Sequence, residues 1–527
     1  MDRCEVYPTS LSLNQLDKLK TAFGAKEAKR VEALLERLSR HTFLDPERLL
    51  HFHELLLFVR AYPHNAIIAQ LAEAQLRTFR ERISLLRERD VDLSPLESPE
   101  VSGVAGMSVT DTFSYYIVRR LLKLYPTEVE IDWEWFESEN RLAETWPRFM
   151  PLLEEDAFVE ANVPYREWLR GARGSQSELS WLIERFEQLA KPESEKAEIF
   201  DSQQLYVRWT PRFRSTRTGM RAPASKLFFH SDPLIQRRDV RLKEELDQPA
   251  PELRKLSSEE GEKALDLARE SSTIRYRELY GFTHGDPRHV YLAPLGRGVE
   301  LVIFGLPAAK RLPLRTYHAT MIYKNSVPVG YFEGLSLFER MESGFNLYYT
   351  FRDGETAWLY ARILNVMRHF AGVTTFSIDP YQIGFENEEG IESGAFWFYR
   401  KLGFRPTSRD VFELVQKEEQ KLEARPGYRT SARTLKRLAE SSMVFEVNQK
   451  QTGDWDRFQV RKIGFEAQRL KAKQFTELLD LERWSTDEKK LLERIVQAKT
   501  GAEETAYLKL MRRHDRLRRE IIKLGSS

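Results

Sequence analysis

The chain has one cysteine, Cys4, in 527 residues. That excludes an intramolecular disulfide framework and any multi-cysteine zinc or iron–sulfur site, and it points to a reducing compartment, the cytoplasm. Net charge is also nearly absent: 82 Lys and Arg stand against 80 Asp and Glu, a balance of +2. No global field therefore advertises a nucleic-acid or membrane partner, and any such partner must be met by a local patch. Long apolar runs are missing too. The tightest, 55–59, is core-sized, and the amino-terminal stretch lacks the apolar centre of a secretory signal. The expectation is a chain that neither spans a membrane nor carries a visible export signal. What is present, 41% hydrophobic and 31% charged residues, is a globular mixture. At roughly 100–200 residues per domain the length allows about two to four domains.

Along the chain the hydrophobic period changes character. Residues 1–200 read as an all-helical domain with 3.6-residue apolar spacing. Asp45 and Pro46 are placed as N-cap and first helical residue, and Pro63 as a stop. Residues 201–255 form a linker or extension rich in basic and aromatic residues. Within 208–226 no acidic residue occurs, while Arg208, Arg212, Arg214, Arg217, Arg221 and Lys226 gather beside Trp209 and Phe213. Such a segment meets phosphates, of RNA or of a nucleotide, or is simply solvated beside acidic neighbours. Residues 256–412 alternate α and β. Ser257 and Glu260 form a capping box. Strands are expected at 289–292, 299–304, 314–323, 329–337 and 345–351, with turns at 324–326 and 342–344 making the last three a meander. A helix over 355–370, a strand over 374–379 and a helix over 394–402, ended by Gly403, follow. Residues 413–527 read as a charged helical region, with 26 basic against 18 acidic residues over 417–527 and capping boxes at Ser485/Glu488 and Thr500/Glu503. The fold class expected is multidomain α+β: a central mixed sheet with flanking helices, between an all-α domain and a helical tail.

The most informative stretch runs from Gly394 to Pro406, with Ala395, Tyr399, Lys401, Gly403 and Phe404 at fixed spacing. It resembles the last helix and following strand of the GNAT (N-acetyltransferase) superfamily, and the order of elements before it, over 256–412, is similar to that family's. The resemblance implies an N-acyltransferase that moves an acyl group from acetyl-CoA or another acyl-CoA, bound as co-substrate, to an amine by direct attack, without a metal. It implies a pyrophosphate-binding turn after the fourth strand, here Phe351, Arg352, Asp353, Gly354, Glu355, Thr356 and Ala357, where helix N-terminal amides favour an anion. It further implies that Tyr399 protonates the departing thiolate, a task suited to a phenol that stays neutral near an apolar thioester.

Direct attack needs a deprotonated amine. Glu333, inside an apolar strand, is the first candidate base and Asp379, at the end of a strand, the second, since burial raises a carboxyl pKa. His318 is a third. The 380–393 loop carries Glu386, Glu388, Glu389 and Glu392, which would favour a cationic acceptor, either a small molecule or a protein amine. Two other functions fit the same residues: a GNAT-fold scaffold without turnover, and an acyl or aminoacyl transferase acting on an RNA-linked substrate through the basic segment. A metal pair at His51 and His53 is excluded, because residues two apart on a helix point away from each other.

Overall fold

A computed structural model describes residues 3–136, 139–149, 152–223, 226–460, 462–463 and 479–526. Part of the expected helical tail, 464–478, and residues 224 and 225 of the basic segment lie outside the described residues. The chain forms two compact units: Met1–Pro223 with Asp266–Leu279, and Ala224–Leu265 with Tyr280–Ser527. These bounds do not coincide with the divisions expected at 200, 255 and 412. Among the described residues no helix is long and apolar enough to cross a membrane.

The first unit is mostly helical, and its helices begin and end where local chemistry says they should. Asp45 accepts from the amides of Glu47 and Arg48 at 2.9 and 3.2 Å, with Pro46 beside it at the first helical position, and the helix Pro46–Ala61 closes just before Pro63. The unit is not all-helical, however. Strands β1 (Val109–Asp111), β2 (Val129–Ile131) and β3 (Val207–Trp209) form a small antiparallel sheet in the order β1-β3-β2. At three residues each they are too short to write a period-2 pattern over the surrounding helical one. Their inward residues, Val109, Val129, Val207 and Trp209, join Phe186, Phe200 and Leu182 in one core.

The second unit is built on a nine-stranded sheet, completed by β4 (Arg254–Lys255), β5 (Val290–Gly296), β6 (Val299–Phe304), β7 (Thr316–Lys324), β8 (Val327–Leu337), β9 (Arg340–Leu347), β10 (Thr375–Ile378), β11 (Arg405–Pro406) and β12 (Met443–Glu446). Its order is β11-β12-β10-β9-β8-β7-β6-β5-β4. Neighbours are antiparallel except β9 and β10, which run parallel and are joined by the crossover helix Thr356–Ala371. Every residue of β7 is buried, as a strand covered on both faces must be.

Three expectations are corrected here. Residues 413–527 are not a separate helical tail, because β12 inserts between β10 and β11. The β8–β9 turn is not at 342–344, which lies inside β9; it is Phe338–Glu339, with Phe338 at φ +53°. A phenylalanine and a glutamate carry no turn signature, and tertiary contacts hold them instead: Phe338 joins an apolar cluster with Trp455 and Tyr507, while Glu339 accepts from Trp455 Nε1 at 2.7 Å and Arg518 Nε at 2.9 Å. Finally, the helix Glu504–Met511 has Glu503 as its cap residue without a capping side-chain bond, since that carboxylate accepts from Lys255 and Tyr291. The Ser485/Glu488 and Ser257/Glu260 boxes and the turn at Asn325 and Ser326 form as expected.

Candidate active site

The site arises where two parallel strands part. β9 and β10 pair at Arg340–Thr375, Met341–Phe376 and Glu342–Ser377, and no further. β10 ends because Asp379 and Pro380 follow it; Asp379 Oδ1 accepts from Tyr381 N at 2.9 Å, capping the short turn Pro380–Ile383. β9 continues to Leu347, bonded on its other edge to β8. Where they part, Ser343 Oγ lies 2.9 Å from Tyr360 Oη and donates to Ser377 O at 3.4 Å.

A cleft of about 250 Å³ is lined by Phe345, Asn346 and Leu347 of β9, by Arg352 and Thr356 at the start of the crossover helix, by Gln382, Asn387 and Glu389, and by Ala395, Phe398 and Tyr399 of the helix Ala395–Lys401. Two properties are chemically useful. The edge of β9 that faces the missing partner offers peptide N–H and C=O groups to an extended ligand. The first turn of Thr356–Ala371 leaves amides without intrahelical acceptors, positive in sense.

Tyr399 is held by Tyr360, Phe398 and Phe404, whose ring centroids lie 5.5, 5.1 and 5.7 Å away. It is 3% exposed, and burial raises its phenol above the ordinary value, so it keeps its proton at neutral pH. The residue lines the cleft, and its hydroxyl makes no hydrogen bond among the described residues.

Of the seven expected pyrophosphate-turn residues, Arg352 and Thr356 line the cleft and the others do not. The Phe351 side chain is buried, and the Gly354 amide is occupied by Phe351 O at 3.0 Å. Ala357 is buried in the first turn of the crossover helix and Asp353 is exposed. Glu355 faces inward: its carboxylate meets Arg297 Nη2 at 2.5 Å, Lys324 Nζ at 3.6 Å and the Ile235 amide at 3.1 Å. The charge that would oppose a phosphate is thus neutralised within the fold, and Glu355 anchors the turn. Burial lowers Lys324 to about 7 against the upward pull of Glu355.

Among the candidate bases, Glu333 is part-buried on β8 and accepts a hydrogen bond from the Tyr317 hydroxyl. Burial raises its carboxyl pKa, with the Tyr317 bond opposing. It does not line the cleft; it pairs across the strands with Gly344, where an added Cβ would lie 3.8 Å from both Glu333 Cβ and the cleft-lining Gln382 Nε2. Asp379 is exposed and engaged as a cap, so the burial expected to tune it is missing. His318 is buried against Phe370, its pKa pushed down to about 4 by burial and by Lys499 and Arg311, too low for a base toward an ammonium. In the acidic loop Glu389 lines the cleft but is ion-paired with Arg352; Glu388 pairs with Lys436; Glu386 and Glu392 are exposed and outside the lining. The loop is therefore a weaker attractor for a cation than its sequence suggests. No local pattern singles out Asn346, Gln382 or Asn387, polar groups that the parting of the strands brings to one cleft.

No protein-family model matches the chain, and no curated protein and no solved structure matches it.

Proposed function

We propose that the sheet-bearing unit is an acyl-CoA-dependent N-acyltransferase of the GNAT kind, working on an amine acceptor by direct attack. The observation that carries this reading is the cleft itself. A parallel strand pair separates after three paired residues, and the opening is bordered by an unpaired strand edge, a helix N-terminus and Tyr399, whose ring is packed among aromatic side chains. The strand order β9-β10-β12-β11, with the last strand inserted between two earlier ones, also supports it. An acyl-CoA has the matching chemistry: amides along its pantetheine arm for the strand edge, a pyrophosphate for Thr356 and Arg352 at the helix start, and a thioester to be brought toward Tyr399.

In this mechanism the acceptor nitrogen loses a proton to Glu333, through water in the space left by Gly344, and attacks the thioester carbonyl. The C–N bond forms, the C–S bond breaks, and Tyr399 donates its proton to the departing sulfur. Glu333 then releases its proton to solvent, and the phenolate takes up the second proton, which the nitrogen sheds as it becomes an amide. The raised carboxyl pKa brings Glu333 closer to the pKa of its task, and the raised phenol pKa keeps Tyr399 a proton donor rather than an anion.

The test is turnover of acetyl-CoA with a panel of amines, followed by free-thiol release, for the natural chain and for Tyr399→Phe. Thiol release that depends on the amine and drops by about two orders of magnitude in Tyr399→Phe, with acetyl-CoA still bound, supports the reading. Binding of acetyl-CoA without turnover on any amine favours a scaffold on the same fold.

A further inference from the structure

The arginines of the 208–226 segment fall into two sets. Arg208, Arg212 and Arg217 each have a carboxylate at hand, Asp132 at 2.6 Å, Glu128 at 2.6 Å and Glu54 at 2.5 Å. Arg214 is exposed and has no ion pair or hydrogen bond among the described residues. Arg221 reaches Glu73 at 3.4 Å, but that carboxylate is also shared with Arg77 at 3.7 Å and Arg60 at 3.8 Å. Arg60 is 3% exposed, and its other contacts are the carbonyls of Thr218 and Arg217, which hold the guanidinium without cancelling its charge. One carboxylate thus serves three guanidiniums, and a fourth beside them has none.

This uncompensated charge lines a cleft of about 650 Å³, walled by Glu73, Arg77, Phe213, Arg214, Gly219 and Arg221. Its shape depends on a glycine. A Cβ on Gly219 would sit 2.1 Å from Phe213 O and 2.7 Å from Phe213 Cδ1, so only glycine lets the chain double back under Phe213 with Arg214 and Arg221 on the same wall.

We propose that this cleft in the first unit binds a small phosphate-bearing compound, its phosphate oxygens on Arg77, Arg214 and Arg221 and its remaining part against the Phe213 ring. Guanidinium forks match phosphate oxygens in pairs, and an excess of them in a concave site selects anions of two or more charges. The cleft lies within the roughly 300–1,000 Å³ range of small-ligand sites. A polynucleotide would need a charged track, but the neighbouring Arg208, Arg212 and Arg217 are neutralised in place.

The experiment is calorimetric titration of the full chain, at low ionic strength, with inorganic pyrophosphate and separately with adenosine diphosphate. Saturable binding is expected, weakened by about tenfold or more in Arg214→Ala, lost in the double variant Arg214→Glu/Arg221→Glu, and retained in Arg212→Ala and in Arg352→Ala at the other cleft. Tighter binding of the nucleoside diphosphate assigns a nucleotide; equal binding assigns the phosphate alone. Arg214 is exposed and unpartnered, so its single substitution leaves folding intact, which thermal unfolding checks. Absence of saturable binding by either probe, or binding indifferent to the double charge reversal, overturns the proposal. So does a single-stranded RNA oligonucleotide that binds more tightly than both probes and loses affinity in Arg212→Ala.

Discussion

The two halves of β9 share one neighbour and differ in the other. Over 340–342 the strand is bonded to β8 and to β10; over 343–347 it keeps β8 alone. In the first half the chain is fastened from outside as well. Glu339 O receives the amides of Thr374 and Thr375 at 2.8 and 3.0 Å, and Arg340 Nε donates to Ser377 Oγ at 3.0 Å. In the second half the place of the neighbouring strand is taken by the cleft, with Tyr399 and Thr356 on its walls. The comparison teaches that the site is made by ending a strand early, at Asp379–Pro380, while a buried network holds the closed end shut.

The strongest way to break that contrast is to open the closed half. Glu339→Ala leaves Arg518 with only the exposed Asp454 as partner and Trp455 Nε1 without an acceptor, and a loss of about 3 kcal/mol is expected, read as a large drop in the urea midpoint of the sheet-bearing unit. Next is Tyr399→Phe, which leaves the walls in place and removes the proposed proton donor; turnover should decrease about a hundredfold with acetyl-CoA affinity unchanged, measured by steady-state kinetics beside calorimetry. Glu333→Gln should lower turnover by about tenfold or more and flatten the acid limb of the pH profile. The sign follows from the raised carboxyl pKa: the base works only when ionised, so the rate rises with pH through a point above the usual carboxylate value, and stability contributed by the protonated form declines over the same window. Gly344→Leu, which fills the space between Glu333 and Gln382, should reduce kcat while leaving acetyl-CoA binding intact. The smallest effect is expected from Arg352→Ala. It removes an exposed pair with Glu389, so stability should change by about 0.5 kcal/mol or less, while acetyl-CoA binding weakens a few-fold.

Much of the sheet-bearing unit was legible. β6 has the expected bounds, and the helix over 394–402 and its Gly403 stop followed from Gly394, Tyr399 and Gly403 themselves. β9 was placed five residues too late because the Glu342–Gly344 stretch looks like a turn, while the actual turn, Phe338–Glu339, is imposed by Trp455 and Arg518 from far along the chain. The same distance hid β12: Met443–Glu446 carries a strand pattern too short to stand out between charged helices. At the site, Tyr399, Arg352, Thr356 and Glu389 were anticipated. Glu355 reads as a pyrophosphate-turn residue because nothing local reveals Arg297 and Lys324, and Asp379 as a buried base because its capping role depends on Pro380 and Tyr381 adopting a turn.

The most direct measurement is calorimetric titration of acetyl-CoA into the natural chain and into Ala395→Trp, whose indole would fill the cleft beside Tyr399. The account predicts saturable binding by the natural chain, lost in a variant whose thermal unfolding is otherwise preserved. Binding that persists in a folded Ala395→Trp, or no binding of acetyl-CoA or a longer acyl-CoA to the natural chain, would contradict it.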